Sequence, residues 1–242
     1  MTRREKIVCA DLDDLARRAA AEWVRNADEA IARAGRFAVA LSGGNTPRAL
    51  YAKLAGEVLR SRIAWERWHF FWGDERSVPP DHADSNYRMA FEALLSRVPV
   101  PAANIHRIET ERGPAEAAAA YETALRDFFA MPRGGFPRFD LVLLGIGEEG
   151  HTASLFPGSA ALAERERLVV AVYVEKLKTD RITFTLPVLN SAAEVAFLVS
   201  GKSKAEVVKQ TLRDGADIPA ARVAPADGRV LWFLDKEAAS FL

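Results

Sequence analysis

The sequence predicts an α/β fold: a single open, mainly parallel sheet with helices on both faces, spanning residues 1–242 as a single domain. Three observations lead there. Helical and strand patterns alternate along the chain. The strand segments are continuous apolar runs more often than strict alternations, as in a sheet buried on both faces. No Ser- or Gly-rich linker and no repeat divides the 242 residues.

Each element has its own signal. In "DLDDLARRAAAEWVRNADEAIARAG", Leu12, Leu15, Ala19, Trp23, Ala27, Ala30, Ile31 and Ala34 recur at mostly three- and four-residue steps. Asp11 or Asp13 caps its start and Gly35 ends it. "RFAVALS" is a short buried strand. "TPRALYAKLAGEVL" reads as a helix with Thr46 as N-cap and Pro47 in the first turn, where a missing N–H costs nothing. "RWHFFWG" is the next strand. "SNYRMAFEALLSRV" is a helix capped by Ser85 or Asn86, and "AEAAAAYETALRDFFA" is another. "RFDLVLLG", "RLVVAVYV", "RITFTL", "EVAFLVS" and "RVLWFLD" are further strands, with a helix at "SKAEVVKQTLRD". The stretches 98–104 and 131–137 read as loops.

Composition bounds the function. Apolar residues make up 49% and charged residues 27%, and the net charge is zero. No global basic field points to nucleic acid, so an anionic ligand must meet local cations. Cys9 is the only cysteine, which suits a reducing, cytoplasmic setting. The opening "MTRREKIVCADLDD" is too charged for a signal peptide, and no run approaches the roughly 20 apolar residues of a membrane span. The expected protein is a monomer or weak homo-oligomer with no membrane or nucleic-acid partner.

Ligands of such sheets bind beyond the carboxyl ends of the strands. Four stretches follow strands, at 42–47, 72–86, 145–158 and 200–204, and they are expected to converge. "LSGGNTP" pairs Gly43 and Gly44 with Ser42, Asn45 and Thr46 at a helix start, which suits phosphate or simply makes a tight turn. It lacks the Gly-Lys-Ser/Thr of a P-loop. In "WGDERSVPPDHADSN", Arg76 offers a planar fork of donors to phosphate, and Asp74 or Glu75 can orient it or bind sugar hydroxyls. The alternative is a solvated charged turn.

"GIGEEGHTASLFPG" matches a dinucleotide fingerprint by its letters, but Pro157 cuts short any helix begun after Gly150. The loop suits His151 instead, a base able to take and return a proton near neutral pH, with Glu149 two residues earlier as its partner. A capping role for His151 and an exposed Glu149 are the bland readings. His69 reads as structural, His82 as exposed, and His106 lies in a short polar segment. Arg181 begins a strand. Lys204 precedes a helix, where its charge opposes the dipole unless an anion compensates. No metal motif and no G-x-S-x-G elbow is present.

Together, "LSGGNTPRALY", "FFWGDERSVPPDHADSNYRMA", "LVLLGIGEEGHTASLFPGS", "RITFTLPVLN" and "FLVSGKSKAEVV" resemble the 6-phosphogluconolactonases, in the same order and over almost the whole chain. The resemblance implies a Rossmann-like fold shared with sugar-phosphate isomerases and deaminases. It implies hydrolysis of 6-phospho-D-glucono-1,5-lactone to 6-phosphogluconate in the oxidative pentose phosphate pathway, with a sugar-phosphate lactone as the small-molecule partner and no cofactor. By motif, His151 matches the general base. Ser42, Gly43, Gly44 and Thr46 match the phosphate-side loop, and Arg76, Arg181 and Lys204 match cations around phosphate or lactone. Asp74, Glu75 and Asn86 match further polar positions. The family usually carries aspartate where this chain has Glu149. Two competing readings are an amino-sugar-phosphate isomerase or deaminase on the same fold, whose relatives resemble "GHIGFNEP" at this loop, and a non-catalytic sugar-phosphate sensor.

Overall fold

Residues 3–132 and 134–242 are described by the computed structural model of the chain. The chain runs through β1 (Arg3–Cys9), α1 (Leu12–Ala34), β2 (Phe37–Leu41), α2 (Asn45–Leu54), α3 (Glu57–Arg60), β3 (Trp68–Trp72), β4 (Asp74–Arg76) and α4 (Asn86–Ala93). It continues through α5 (Pro114–Phe129), β5 (Leu141–Leu144), β6 (Val169–Val174), β7 (Thr179–Phe184), α6 (Leu186–Leu189), β8 (Glu194–Val199), α7 (Ala205–Leu212) and β9 (Arg229–Asp235).

Six strands form the expected parallel sheet, in the order β1-β9-β8-β5-β2-β3. β2, β5 and β8 are buried at every position, which explains their unbroken apolar runs. The charged opening segment hides an edge strand, β1. Its alternating exposure and its Arg, Glu and Lys side chains suit an edge that must not recruit another chain.

The structure adds a second, smaller sheet, antiparallel, in the order β4-β7-β6. The strands expected at 167–174 and 181–186 form, at residues 169–174 and 179–184, but in this sheet; β7 begins two residues early, so Arg181 lies within it and not at its start. Only residues 175–178 join them, far short of the dozen or more that a parallel crossover needs. The triplet Asp74–Arg76, read as part of a loop, is the third strand and pairs with residues 181–183 of β7.

Local signals set most boundaries. Asp11 caps α1 by accepting from Asp14 N at 2.9 Å, and Gly35 closes it in the left-handed region. Ser85 caps α4, accepting from Arg88 N at 3.1 Å. Thr46 is not a cap: Gly44, at φ 102°, turns the chain into α2 before Asn45, so Thr46 lies inside the first turn. The helix stops at Leu54 and a separate turn, α3, follows Gly56. The predicted loop at 131–137 includes residue 133, outside the described residues.

Beneath the sheet, Trp23 of α1 stacks on Trp68 of β3 at 5.6 Å, and Trp65 and Phe37 close on the same ring at 5.1 and 4.9 Å. Two buried tyrosines pin the strand ends that launch the site loops. Tyr51 donates to Ser42 O at 2.8 Å and accepts from Ser42 N at 3.1 Å. Tyr121 accepts from Trp72 N at 2.8 Å and donates to Trp72 O at 3.2 Å.

On β3, His69 Nδ1 lies 3.3 Å from His106 Nε2, and the His106 ring stacks on Phe71 at 4.3 Å. Burial, helped by the neighbouring His69, pushes His106 down to about 4, and burial also lowers His69. Both rings are therefore neutral in the fold, whereas the unfolded chain protonates them near 6.5. Their contribution to stability is whole above that pH and is lost as pH falls from 6.5 toward 4. Thermal unfolding temperature is expected to decline between pH 6.5 and 5, and His106→Phe to flatten that decline. An unchanged slope in the variant would exclude the pair as its source.

Candidate active site

The chain lays β3 on one side of β2 and β5, β8 and β9 on the other, so its direction of travel reverses between β2 and β5. A crevice opens outside the carboxyl ends at such a switch point. Here it is a cleft of about 380 Å³, in the range of small-molecule sites. All four strand-following stretches reach it. Ser42, Gly43 and Gly44 arrive after β2, Asp74 and Arg76 on β4, and Asn86 at the start of α4. His151 arrives after β5, Arg181 on β7 and Lys204 just ahead of α7. A larger groove of about 620 Å³ lies beyond Phe156, between residues 156–161 and 171–176. It shares only Phe156 with the cleft and holds none of the convergent cations.

Four of the expected residues do not line the cleft. Asn45 is exposed and Thr46 half-buried in the first turn of α2. Glu75 is buried on the other side of β4. Its carboxylate accepts from the backbone N–H groups of Arg76, Asn86 and Tyr87, each at 2.7 Å, and from Ser85 Oγ at 3.1 Å. Glu75 thus fastens the start of α4 to β4, where the helix dipole also favours a negative charge. Burial raises its carboxyl against the pull of those donors. Glu149 is exposed on the rim of the larger groove and reaches His151 from behind.

His151 sits in a loop with no helix after it, so the letters of the dinucleotide fingerprint have a different use. Gly147 N donates to His151 O at 2.9 Å and Thr152 Oγ1 to Gly145 O at 2.9 Å, folding the loop back on itself. A Cβ on Gly147 would overlap the imidazole, and it would lie 2.7 Å from Glu149 Oε2. The glycine there makes room for the side chain it presents. Phe156 stacks on the other side of the ring at 4.2 Å. Nδ1 lies 3.2 Å from Glu149 Oε2 but out of line for a hydrogen bond, so the longer glutamate delivers charge more than direction. Glu149 also faces Lys176 at 3.7 Å. Burial lowers His151 below its usual value, Glu149 and Asp74 work against it, and Lys204 adds to it. The ring is neutral at pH 7 and free to accept a proton.

Opposite stand two guanidinium groups. Arg76 and Arg181 face each other across the β4–β7 ladder, a like-charge pairing that destabilises a bare sheet. Arg76 donates to Asp84 O at 2.6 Å, yet the Nε atoms of both arginines are buried without a partner among the described residues. Burial, with Arg76 second, lowers the basicity of Arg181. An anion between them would supply what both lack. Asn86 donates to Asp74 O at 3.0 Å, and its carboxamide fills the space a Cβ on Gly43 would need. Sequence reading missed Ser154, Phe156 and Leu177, which also line the cleft. Phe156 follows the histidine in the quoted motif and was legible as part of it. Leu177, at the turn between β6 and β7, carries no local signal.

The chain matches, over residues 10–232, the family described as glucosamine-6-phosphate isomerases/6-phosphogluconolactonase. The 6-phosphogluconolactonase of a Nostoc species is 45% identical over 218 residues, covering 89% of this chain and 88% of that protein. Its counterpart from a Synechocystis species is 46% identical over 214 residues, covering 87% and 86%. The solved 6-phosphogluconolactonase of Trypanosoma brucei superposes with a TM-score of 0.90 at 31% identity, covering 100% of both chains.

The steric role of Gly147 is separable from that of its neighbour. Gly147→Ala is expected to lower turnover about 10²-fold, the cost of a misplaced reacting group, with the fold intact by circular dichroism. Gly145→Ala, whose added methyl meets nothing within 4 Å, should stay near wild type. Equal losses at both positions would contradict the assignment.

Proposed function

The chain belongs to the family of glucosamine-6-phosphate isomerases and 6-phosphogluconolactonases, and from that premise we propose that the cleft carries out lactone hydrolysis with His151 as general base. The reaction is the hydrolysis of 6-phospho-D-glucono-1,5-lactone to 6-phosphogluconate, in the oxidative pentose phosphate pathway. The observation that carries the reading is the pairing, in one cleft, of a half-buried imidazole with two guanidinium groups whose Nε atoms lack partners among the described residues.

Arg76 and Arg181 take the phosphate. Their planar donor forks suit its oxygens, and the anion relieves their mutual repulsion. This anchoring places the far end of the substrate, the lactone carbonyl, by binding energy from a group that does not react. His151 removes a proton from water, and the oxygen attacks the carbonyl carbon. Lys204, near enough to influence the charge of His151, is the cation available to the developing oxyanion. The tetrahedral intermediate collapses with cleavage of the bond to the ring oxygen, which receives the proton back from the imidazolium. Glu149 and Asp74 stabilise that imidazolium while it exists.

The same reading takes the enzyme as cytoplasmic, as a monomer or weak homo-oligomer, and without nucleic-acid partners. A net charge of zero and a single, buried cysteine support that setting. No helix among the described residues is long and apolar enough to cross a membrane.

Freshly generated lactone, with product followed against an enzyme-free control, tests the activity; glucosamine-6-phosphate run in parallel tests the isomerase and deaminase reading. His151→Ala is expected to lower kcat by roughly 10²- to 10⁴-fold. Because burial lowers His151, the acid limb of wild-type kcat/KM should fall below the ordinary 6.5. A His151→Ala enzyme of near wild-type kcat would remove the base. Arg76→Ala and Arg181→Ala should each raise KM more than they change kcat, as expected where the phosphate is held equally in ground and transition states. A KM unchanged in both variants would place the phosphate elsewhere.

A further inference from the structure

Ser154 is one of the most deeply buried polar side chains of the molecule, only 1% exposed, and it faces the cleft three residues after His151. Its hydroxyl donates to Asp74 Oδ2 at 2.7 Å across a separation of 80 residues. Its backbone N–H donates to Thr183 Oγ1 at 3.2 Å, which seats it against β7. Among the described residues, the other oxygen of Asp74 has only a long contact, 3.4 Å from Asn86 Nδ2. One hydroxyl is therefore the close side-chain donor to a carboxylate that is itself 7% exposed.

We propose that Ser154 is a positioning residue for the hydrolysis: its hydroxyl holds the Asp74 carboxylate at the place in the cleft from which it acts on both His151 and Arg181. The proposal rests on the lactonase reading above. Those two groups make competing claims on Asp74. The carboxylate supports the imidazolium that forms during the reaction and partly offsets the Arg76–Arg181 repulsion. A buried carboxylate deprived of a donor turns to the nearest other one. Without the Ser154 hydroxyl that is the Asn86 carboxamide, 3.4 Å from the other carboxylate oxygen, so Asp74 turns toward α4 and away from the loop that carries His151. One change then weakens the support of the imidazolium and lessens the offset of the Arg76–Arg181 repulsion together.

The charged groups facing His151 are Glu149 on its own loop, Asp74 from β4 and Lys204 ahead of α7. Those acting on Arg181 are Arg76, Asp74 and Glu75 from β4, and Asp84 from the loop before α4. Ser154→Ala removes none of these charged groups, so a change in His151 reports the position of Asp74.

The experiment is a proton NMR titration of His151 in the ligand-free enzyme, assigned with His151→Asn, alongside steady-state kinetics across pH. In Ser154→Ala the His151 midpoint is expected to move down, the acid limb of kcat/KM to follow it, and KM to rise by roughly 3- to 10-fold, the scale of one buried hydrogen bond. Ser154→Thr, which keeps the hydroxyl, should restore the wild-type midpoint. If Ser154→Ala does not fold, Ser154→Cys retains the volume with a weaker donor and should shift the midpoint in the same direction. An unmoved midpoint in Ser154→Ala or Ser154→Cys overturns the proposal, even if activity falls. The titration does not depend on turnover, so failure of the lactonase reading would show separately, as absence of product above the control.

Discussion

Four segments converge on the buried Asp74. Its own strand, β4, pairs with β7, placing Asp74 opposite Thr183. Asn86 donates to its backbone carbonyl from the start of α4, and Ser154 to its carboxylate from the loop that carries His151. The Asn86 carboxamide in turn lies where a side chain on Gly43 would be, so the loop after β2 closes on the same point. Leaving a carboxylate unpaired at such depth costs several kcal/mol, roughly, and that cost couples the positions of loops otherwise free to move apart. The cleft is the space those loops enclose.

The parallel sheet decides where this meeting happens. Its strands present their carboxyl ends on one side, and the reversal between β2 and β5 opens the gap there. Tyr51 and Tyr121 hold the ends of β2 and β3 by paired backbone bonds, so the loops leave from fixed points. At the other end of the sheet, Arg229 joins Glu22 of α1 at 2.6 Å and also Glu194 of β8, a charged network that ties helix to strand far from the chemistry. Fixed strand ends are what let short loops bring His151, Arg76 and Arg181 to one cleft.

The second sheet makes the site polar. By pairing β4 with β7 it sets Arg76 against Arg181, an arrangement unfavourable by itself and useful only when an anion lies between. It also brings the β6–β7 turn, with Leu177 and Lys176, to the rim near Glu149. His151, Glu149 and the cations of the cleft thus sit on loops and a small sheet that the large sheet supports.

The residues at 151, 76, 181 and 204 stood out in the sequence because each follows or begins a strand and carries chemistry with no evident structural use. Caps at Asp11 and Ser85 were legible for the same local reason, a short polar side chain next to a periodic run. The sequence could not distinguish Glu75 from Asp74, since adjacent strand residues point to opposite faces and only pairing with β7 tells which face meets the cleft. Nor could it show the β1 edge, whose charges mask its alternation, or Ser154, whose partner lies 80 residues away. Local periodicity and turn chemistry determine which segments are helix and strand. Which side chains share a cavity depends on contacts distant in sequence, and only the folded chain brings those together.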